Sequence, residues 1–162
     1  MWIGAHAPER VDRLVLCCTS AHMPPASAWT ERAAAVRAAG TTEVIADAVI
    51  ERWLTPGHAV ERPDVADSLR EMLVATPAEG YAACCGAIER MDLRDDLAQI
   101  SAPTLVVSGS EDPSTPPEHQ RAIAERIPSS RHETVAPAAH LANIERPSEI
   151  TKLMLDHLKE AR

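Results

Sequence analysis

Two side chains in this sequence could do acid–base chemistry together. Asp112 closes the stretch Leu105-Val106-Val107-Ser108-Gly109-Ser110-Glu111-Asp112, and His140 follows 28 positions later in Ala138-Ala139-His140-Leu141-Ala142-Asn143. A carboxylate bonded to one imidazole nitrogen fixes the tautomer and leaves the other nitrogen free to take a proton. Such a pair is the acid-and-base part of a nucleophile–histidine–acid triad. The two residues can meet only if their loops leave the same rim of one sheet. In an open parallel sheet that rim is at the carboxyl ends of the strands, where ligand sites form.

The elements that must position them are legible from hydrophobic runs. Leu14-Val15-Leu16-Cys17-Cys18 and Leu105-Val106-Val107 are continuous rather than alternating, as expected of strands buried on both faces of a parallel sheet. Arg131-His132-Glu133-Thr134-Val135, after the turn signal Pro128-Ser129-Ser130, is a third strand candidate that delivers the His140 loop. Thr115-Pro116-Pro117-Glu118 and Thr76-Pro77-Ala78-Glu79 read as capping boxes with Thr at the N-cap. A last helix opens near Pro147 with an apolar stripe of Ile150, Leu153, Met154, His157 and Leu158, and Ile123 and Ile127 form a similar stripe before it. A helix starting at Asp92, with Leu93, Leu97 and Ile100 in phase, leads into the second strand. Between the first two strands, helices over 27–39, 43–54, 64–75 and 77–90 exceed any ordinary crossover, so residues 21–91 are expected to be an inserted all-helical cap. The core then comprises 1–20 and 92–162.

Composition bounds the function. The 162 residues carry 16 Lys+Arg against 24 Asp+Glu, a net charge of -8, and only two of the cations are Lys. With no basic stripe, a nucleic-acid partner is excluded. No apolar run is long enough to span a bilayer and Met1-Trp2-Ile3-Gly4-Ala5-His6 is no signal peptide, so a cytoplasmic location is expected and no membrane partner. There is no Phe, one Tyr and 28 Ala, so much of the core must be small side chains on helices. The cysteines form two adjacent pairs, Cys17-Cys18 and Cys84-Cys85, without metal or disulfide spacing, and are expected to be buried free thiols.

With these residues in place, the chain resembles the α/β-hydrolase family, whose triad members follow the order nucleophile, acid, histidine on successive strand ends. It is most similar to the 3-oxoadipate enol-lactone hydrolases of the β-ketoadipate pathway of aromatic catabolism. The likeness runs through His6-Ala7-Pro8-Glu9-Arg10-Val11, Glu51-Arg52-Trp53-Leu54-Thr55-Pro56, Ala75-Thr76-Pro77-Ala78-Glu79-Gly80-Tyr81, Met91-Asp92-Leu93-Arg94, the Asp112 turn, and Ala139-His140-Leu141 through Glu145. The strand, Asp and His pattern carries the wider family, and the cap segments carry the enol-lactonase likeness. The resemblance implies that Asp112 orients His140, that His140 activates a serine and then water against a lactone or ester, and that no metal or organic cofactor takes part.

One departure from the family stands out: no G-x-S-x-G occurs in the sequence. By the resemblance, His6-Ala7-Pro8 ends the helix that opens at the nucleophile, so the serine and the oxyanion loop are expected upstream of Met1. The chain is thus read as the C-terminal part of an α/β-hydrolase fold, about three parallel strands with flanking helices and the cap, inactive alone. Its strand at 14–18 would then be an exposed edge open to self-association or to an N-terminal partner. Two alternatives stay open: another capped carboxylesterase or haloperoxidase-like hydrolase, and a non-catalytic fragment or subunit.

Other residues are weighed against plainer roles. Trp53 either lines a substrate pocket or belongs to the cap's own core. Tyr81 and Met91 read as packing. His119 reads as surface, and His6, His22, His58, His132 and His157 lack a metal-site pattern. Arg52, Arg62, Arg70, Arg90 and Arg94 are mostly solvated charges, although one could clamp a substrate carboxylate. Asn143 is assigned to loop hydrogen bonding and Glu145 to the surface.

Overall fold

The computed structural model describes residues 1–159 and divides into two units, Met1–Ala21 with the chain from Leu93 onward, and His22–Asp92. In chain order the elements are α1 (Trp2–His6), β1 (Leu14–Cys17), α2 (Ala26–Ala39), α3 (Glu43–Trp53), α4 (Pro56–Glu61), α5 (Pro63–Val74), α6 (Ala78–Arg90), β2 (Thr104–Gly109), α7 (Pro117–Ala124), β3 (Ser130–Val135), α8 (Ala142–Glu145) and α9 (Pro147–Lys159). Short 3-10 turns add Pro8–Arg10 and Leu97–Gln99.

In the first unit the three strands form one parallel sheet in the order β1-β2-β3. Leu14 pairs with Thr104 and Cys17 with Val107, while Thr104 pairs with Ser130 and Gly109 with Val135. Every residue of β2 is buried, as its unbroken apolar run requires of a central strand with both faces covered. Side chains alternate between two layers. Leu16 and Val106 pack with Ala5 of α1, Ile123 of α7, and Leu97, Ile100 and Ile127. Leu105, Val107 and Val135 pack on the other face with Ala142 of α8 and Ile150 of α9.

The second unit is helical throughout. Ala33 of α2 meets Ala82 and Cys85 of α6, flanked by Trp29 and Tyr81, so the Ala-rich composition supplies a helix interface of small side chains. Ala46 and Val49 of α3 pack on Leu73 of α5. The buried Thr42 hydroxyl donates to the Leu73 carbonyl at 2.6 Å, sharing that acceptor at the end of α5 with the Thr76 N–H. Arg37 bonds Glu79 through two nitrogens, at 2.8 and 2.7 Å, and Arg70 bonds Asp47 at 2.7 Å.

Several local expectations are corrected. Neither Thr115 nor Thr76 caps a helix. α7 starts at Pro117 after Pro116, because the Thr115 hydroxyl is committed to Asp112. α6 starts at Ala78 after Pro77, and the Thr76 hydroxyl turns back to the Met72 carbonyl at 3.1 Å. The segment from Asp92 forms no α-helix. Asp92 bridges His22, and only Leu97–Gln99 winds, because Pro103 pulls the chain into extended backbone soon afterwards. On α9, Ile150 and His157 are buried, but Met154 and Leu158 are 37% and 52% exposed, since a step of 100° per residue carries them off the packed stripe. The thiols also differ: Cys18 and Cys85 are buried, Cys17 is half-buried and Cys84 is exposed. No helix among the described residues is long and apolar enough to cross a membrane.

Candidate active site

The structure brings Asp112 and His140 together at the carboxyl ends of β2 and β3. β2 ends at Gly109, and the turn that follows returns the Asp112 backbone N–H to the Gly109 carbonyl at 3.3 Å. The Asp112 side chain is fully enclosed and is satisfied on both oxygens. Its Oδ1 accepts from the backbone N–H groups of Ser114 and Thr115 at 2.8 and 2.9 Å. Its Oδ2 accepts from the Thr115 hydroxyl at 2.7 Å and from His140 Nδ1 at 2.9 Å. Four donors on one enclosed carboxylate hold it ionised and fixed in place.

That arrangement sets the imidazole. With Nδ1–H donating to Asp112, Nε2 carries the lone pair, and the side chain is 24% exposed, so a proton can be taken from outside. Thr115 Oγ1 lies 3.3 Å from the same Nδ1 and steadies the ring further. Burial pushes Asp112 up, but the hydrogen bonds from His140 and Thr115 outweigh it and hold the carboxyl below its ordinary range. Burial likewise lowers His140, yet the bond to Asp112 and that residue's charge leave it above the usual histidine value.

Thr115 is the site residue that sequence reasoning missed. Its position three residues after Asp112 was legible, because Asp side chains commonly bond the backbone two or three residues on. The competing signal, Thr followed by two prolines and a Glu, pointed to a helix start instead.

A cavity of about 390 Å³ opens beside His140, lined also by Val15, Cys17, Cys18, Leu141 and Asn143. A larger one, about 970 Å³, is lined by Met1–Gly4 and Arg10–Leu14 at the amino end of β1, away from the acid–base pair. The Cys18 thiol is pushed upward by its bond to Cys17 and by burial, which leaves it a weak nucleophile. A second serine–histidine pair exists: Ser108 Oγ lies 2.9 Å from His132 Nε2 and 3.0 Å from Thr134 Oγ1. Ser108 is 0% exposed, so this pair links β2 to β3 and offers no hydroxyl to a substrate.

The remaining residues fall elsewhere. Trp53 packs in the helical unit's own cluster with Val49 and Leu73, and Tyr81 flanks it. Arg62 pairs with Asp64 at 2.8 Å and Arg70 with Asp47 and Glu43. Glu145 is not a surface residue. It is 7% exposed, and its carboxylate accepts the backbone N–H of Ala139. Among the described residues no group of three His, Cys, Asp or Glu side chains could hold a metal ion.

Comparison with known proteins places the chain by family and fold. Residues 1–147 match the alpha/beta hydrolase fold family. The chain is 38% identical over 146 residues to 3-oxoadipate enol-lactonase 2 of Acinetobacter baylyi, covering 90% of this chain and 54% of that protein. The crystal structure of the enol-lactonase from Burkholderia xenovorans LB400 superposes with a TM-score of 0.94 at 36% identity, covering 98% of this chain and 60% of that one. A thermophilic esterase from Thermogutta terrifontis follows at a TM-score of 0.86 and 34% identity, covering 95% and 58%. The chain spans somewhat more than half the length of each of these relatives.

Proposed function

The chain belongs to the alpha/beta hydrolase fold family, and from that premise we propose that it carries the acid and the base of a serine hydrolase acting on an enol-lactone of the 3-oxoadipate type. The observation that supports this most directly is the 2.9 Å bond from His140 Nδ1 to an enclosed, fully satisfied Asp112 carboxylate. In this reading His140 Nε2 takes the proton of a serine hydroxyl as its oxygen adds to the lactone carbonyl. The ring C–O bond then breaks, the leaving enol oxygen takes the proton from His140, and an acyl-enzyme remains. His140 next deprotonates water as its oxygen adds to the acyl carbon. The bond to the serine oxygen breaks, that oxygen takes the proton back from His140, and the enol of the freed product tautomerises to a 3-oxo dicarboxylate. Asp112 stabilises the imidazolium in both steps. The choice of lactone is supported by the two enol-lactonase relatives at 38% and 36% identity.

The sequence contains no G-x-S-x-G, so the reading assigns the nucleophile to polypeptide outside these 162 residues. Loss of one oxyanion donor alone costs about 10²- to 10³-fold in rate, and loss of the nucleophile removes acyl transfer altogether. The 162 residues by themselves are therefore expected to be inactive. The outer edge of β1 is where this reading seats a strand of the nucleophile-bearing polypeptide. A second reading, a carboxylesterase, is favoured by the 34% identical esterase and uses the same two residues.

The test is complementation. Loss of enol-lactone ultraviolet absorbance is followed for the chain alone and after co-expression with the remaining N-terminal portion of the Acinetobacter baylyi relative. Activity is expected only in the complemented sample, and His140→Ala is expected to abolish it. Turnover by the chain alone overturns the placement of the nucleophile, and survival of His140→Ala overturns the base. Faster hydrolysis of simple aryl esters than of the lactone selects the esterase reading.

A further inference from the structure

His140 sits in a loop whose neighbours on both sides are gripped by one residue. The Glu145 carboxylate accepts the N–H of Ala139, and the backbone N–H of the same Glu145 donates to the Leu141 carbonyl at 3.1 Å. The residues before and after His140 are thus tied to a single point on α8. The preceding stretch is held as well: Arg146 Nε donates to the Pro137 carbonyl at 2.9 Å and the Glu111 N–H to the Ala138 carbonyl at 2.9 Å. These other bonds hold carbonyls ahead of the histidine. Among the described residues the Glu145 carboxylate takes the donor next to it, the Ala139 N–H, while the Cys18 thiol donates to the Ala139 carbonyl at 3.8 Å. A buried carboxylate is costly to desolvate, so its enclosure at 7% exposure calls for a charge-assisted bond of this kind.

We propose that Glu145 is a positioning residue for His140, its side chain holding the Ala139 N–H so that the imidazole stays aligned on Asp112. This rests on the reading of His140 as the base, but its readout does not require turnover. A loop freed at Ala139 lets the ring swing from Asp112, and the interaction that favours its protonated form weakens. The titratable groups that act on His140 are Asp112 and the Cys18 thiol, and both remain in the variants below.

The experiment is an NMR titration of the His140 ring in the 162-residue chain and in the complemented enzyme, with His132 as an internal reference. Glu145→Gln keeps an oxygen at the same reach, whereas Glu145→Asp keeps the charge but withdraws it by one methylene. If Glu145 acts by holding Ala139, Gln is expected to preserve the His140 midpoint. Asp is then expected to lower it by about one pH unit, a tenfold change in proton affinity, with His132 unmoved. The reverse pattern, Asp preserved and Gln lowered, means that Glu145 acts through its charge and overturns the proposal, as does an unmoved midpoint in both. Should Glu145→Asp not fold, hydrogen exchange of the unaltered chain decides. The Ala139 amide is expected to be protected at least a hundredfold over an open loop, and exchange at the open-loop rate overturns the proposal. Failure of the complementation assay with the Asp and Gln pattern as expected would discard the substrate and keep the positioning role.

Discussion

At the scale of single residues, Asp112 is the group on which the site depends. Asp112→Asn keeps the volume but presents an amide that can donate to Nδ1, which favours the wrong tautomer. The complemented enzyme is expected to lose about 10⁴-fold in kcat with its KM little changed. The titration of His140 is expected to fall toward or below 6.5, its ordinary value, once the carboxylate is gone. The signs with pH follow from the pair. His140 is raised, so its share of stability is fully present below 6.5 and is lost as pH rises through its higher folded value. Asp112 is lowered from 3.8, so its share is present above that value and is lost as pH falls through its depressed one. Base catalysis runs opposite to the histidine's stability term. The activity limb of the complemented enzyme should fall on the acid side with a midpoint above 6.5, and an acid limb well below 6 would contradict the Asp112 bond.

At the scale of elements, the close approach of the β2 end to the loop before His140 matters most. A methyl group on Gly109 would overlap the Ala139 carbonyl oxygen and lie 2.6 Å from that of Ala138. Both neighbours are backbone and cannot rotate away. Gly109→Ala is expected to cost about 1 to 3 kcal/mol in a denaturant melt and to displace the histidine loop. An unaltered melting curve would mean that this loop yields easily. The sequence showed Gly109 as a turn residue after a strand. Its true constraint, room for a second backbone, comes from a segment about 30 positions away and left no local mark.

At the scale of the whole chain, the outer edge of β1 is the feature to test. The Leu14 and Cys18 N–H groups donate to the Pro103 and Val107 carbonyls at 3.0 and 2.8 Å, so alternation turns those of Val15 and Cys17 away from β2. Among the described residues β1 pairs only with β2, and Trp2, Ile3 and Leu158 are more than half exposed. Sedimentation velocity is expected to show concentration-dependent association of the 162-residue chain. Val15→Pro removes one outward donor without touching the β2 ladder, and it should suppress that association while keeping the cooperative melt. A chain that stays monomeric at every concentration would refute the edge as the contact.

The sequence by itself determined the layered plan: buried apolar runs dictated parallel strands, and an Ala-rich stretch between them could only be helical. It also marked Asp112 and His140, because strand ends and Gly turns are local signals. Tertiary structure alone decided which side chains serve that pair. Thr115 carries a helix-start pattern, and only the closeness of Asp112 turns its hydroxyl inward. Glu145 carries a surface pattern, and only the folding back of α8 on Ala139 buries it. Propensity is read along the chain, whereas hydrogen-bond demand in a closed site is set across it, by groups that sequence distance keeps apart.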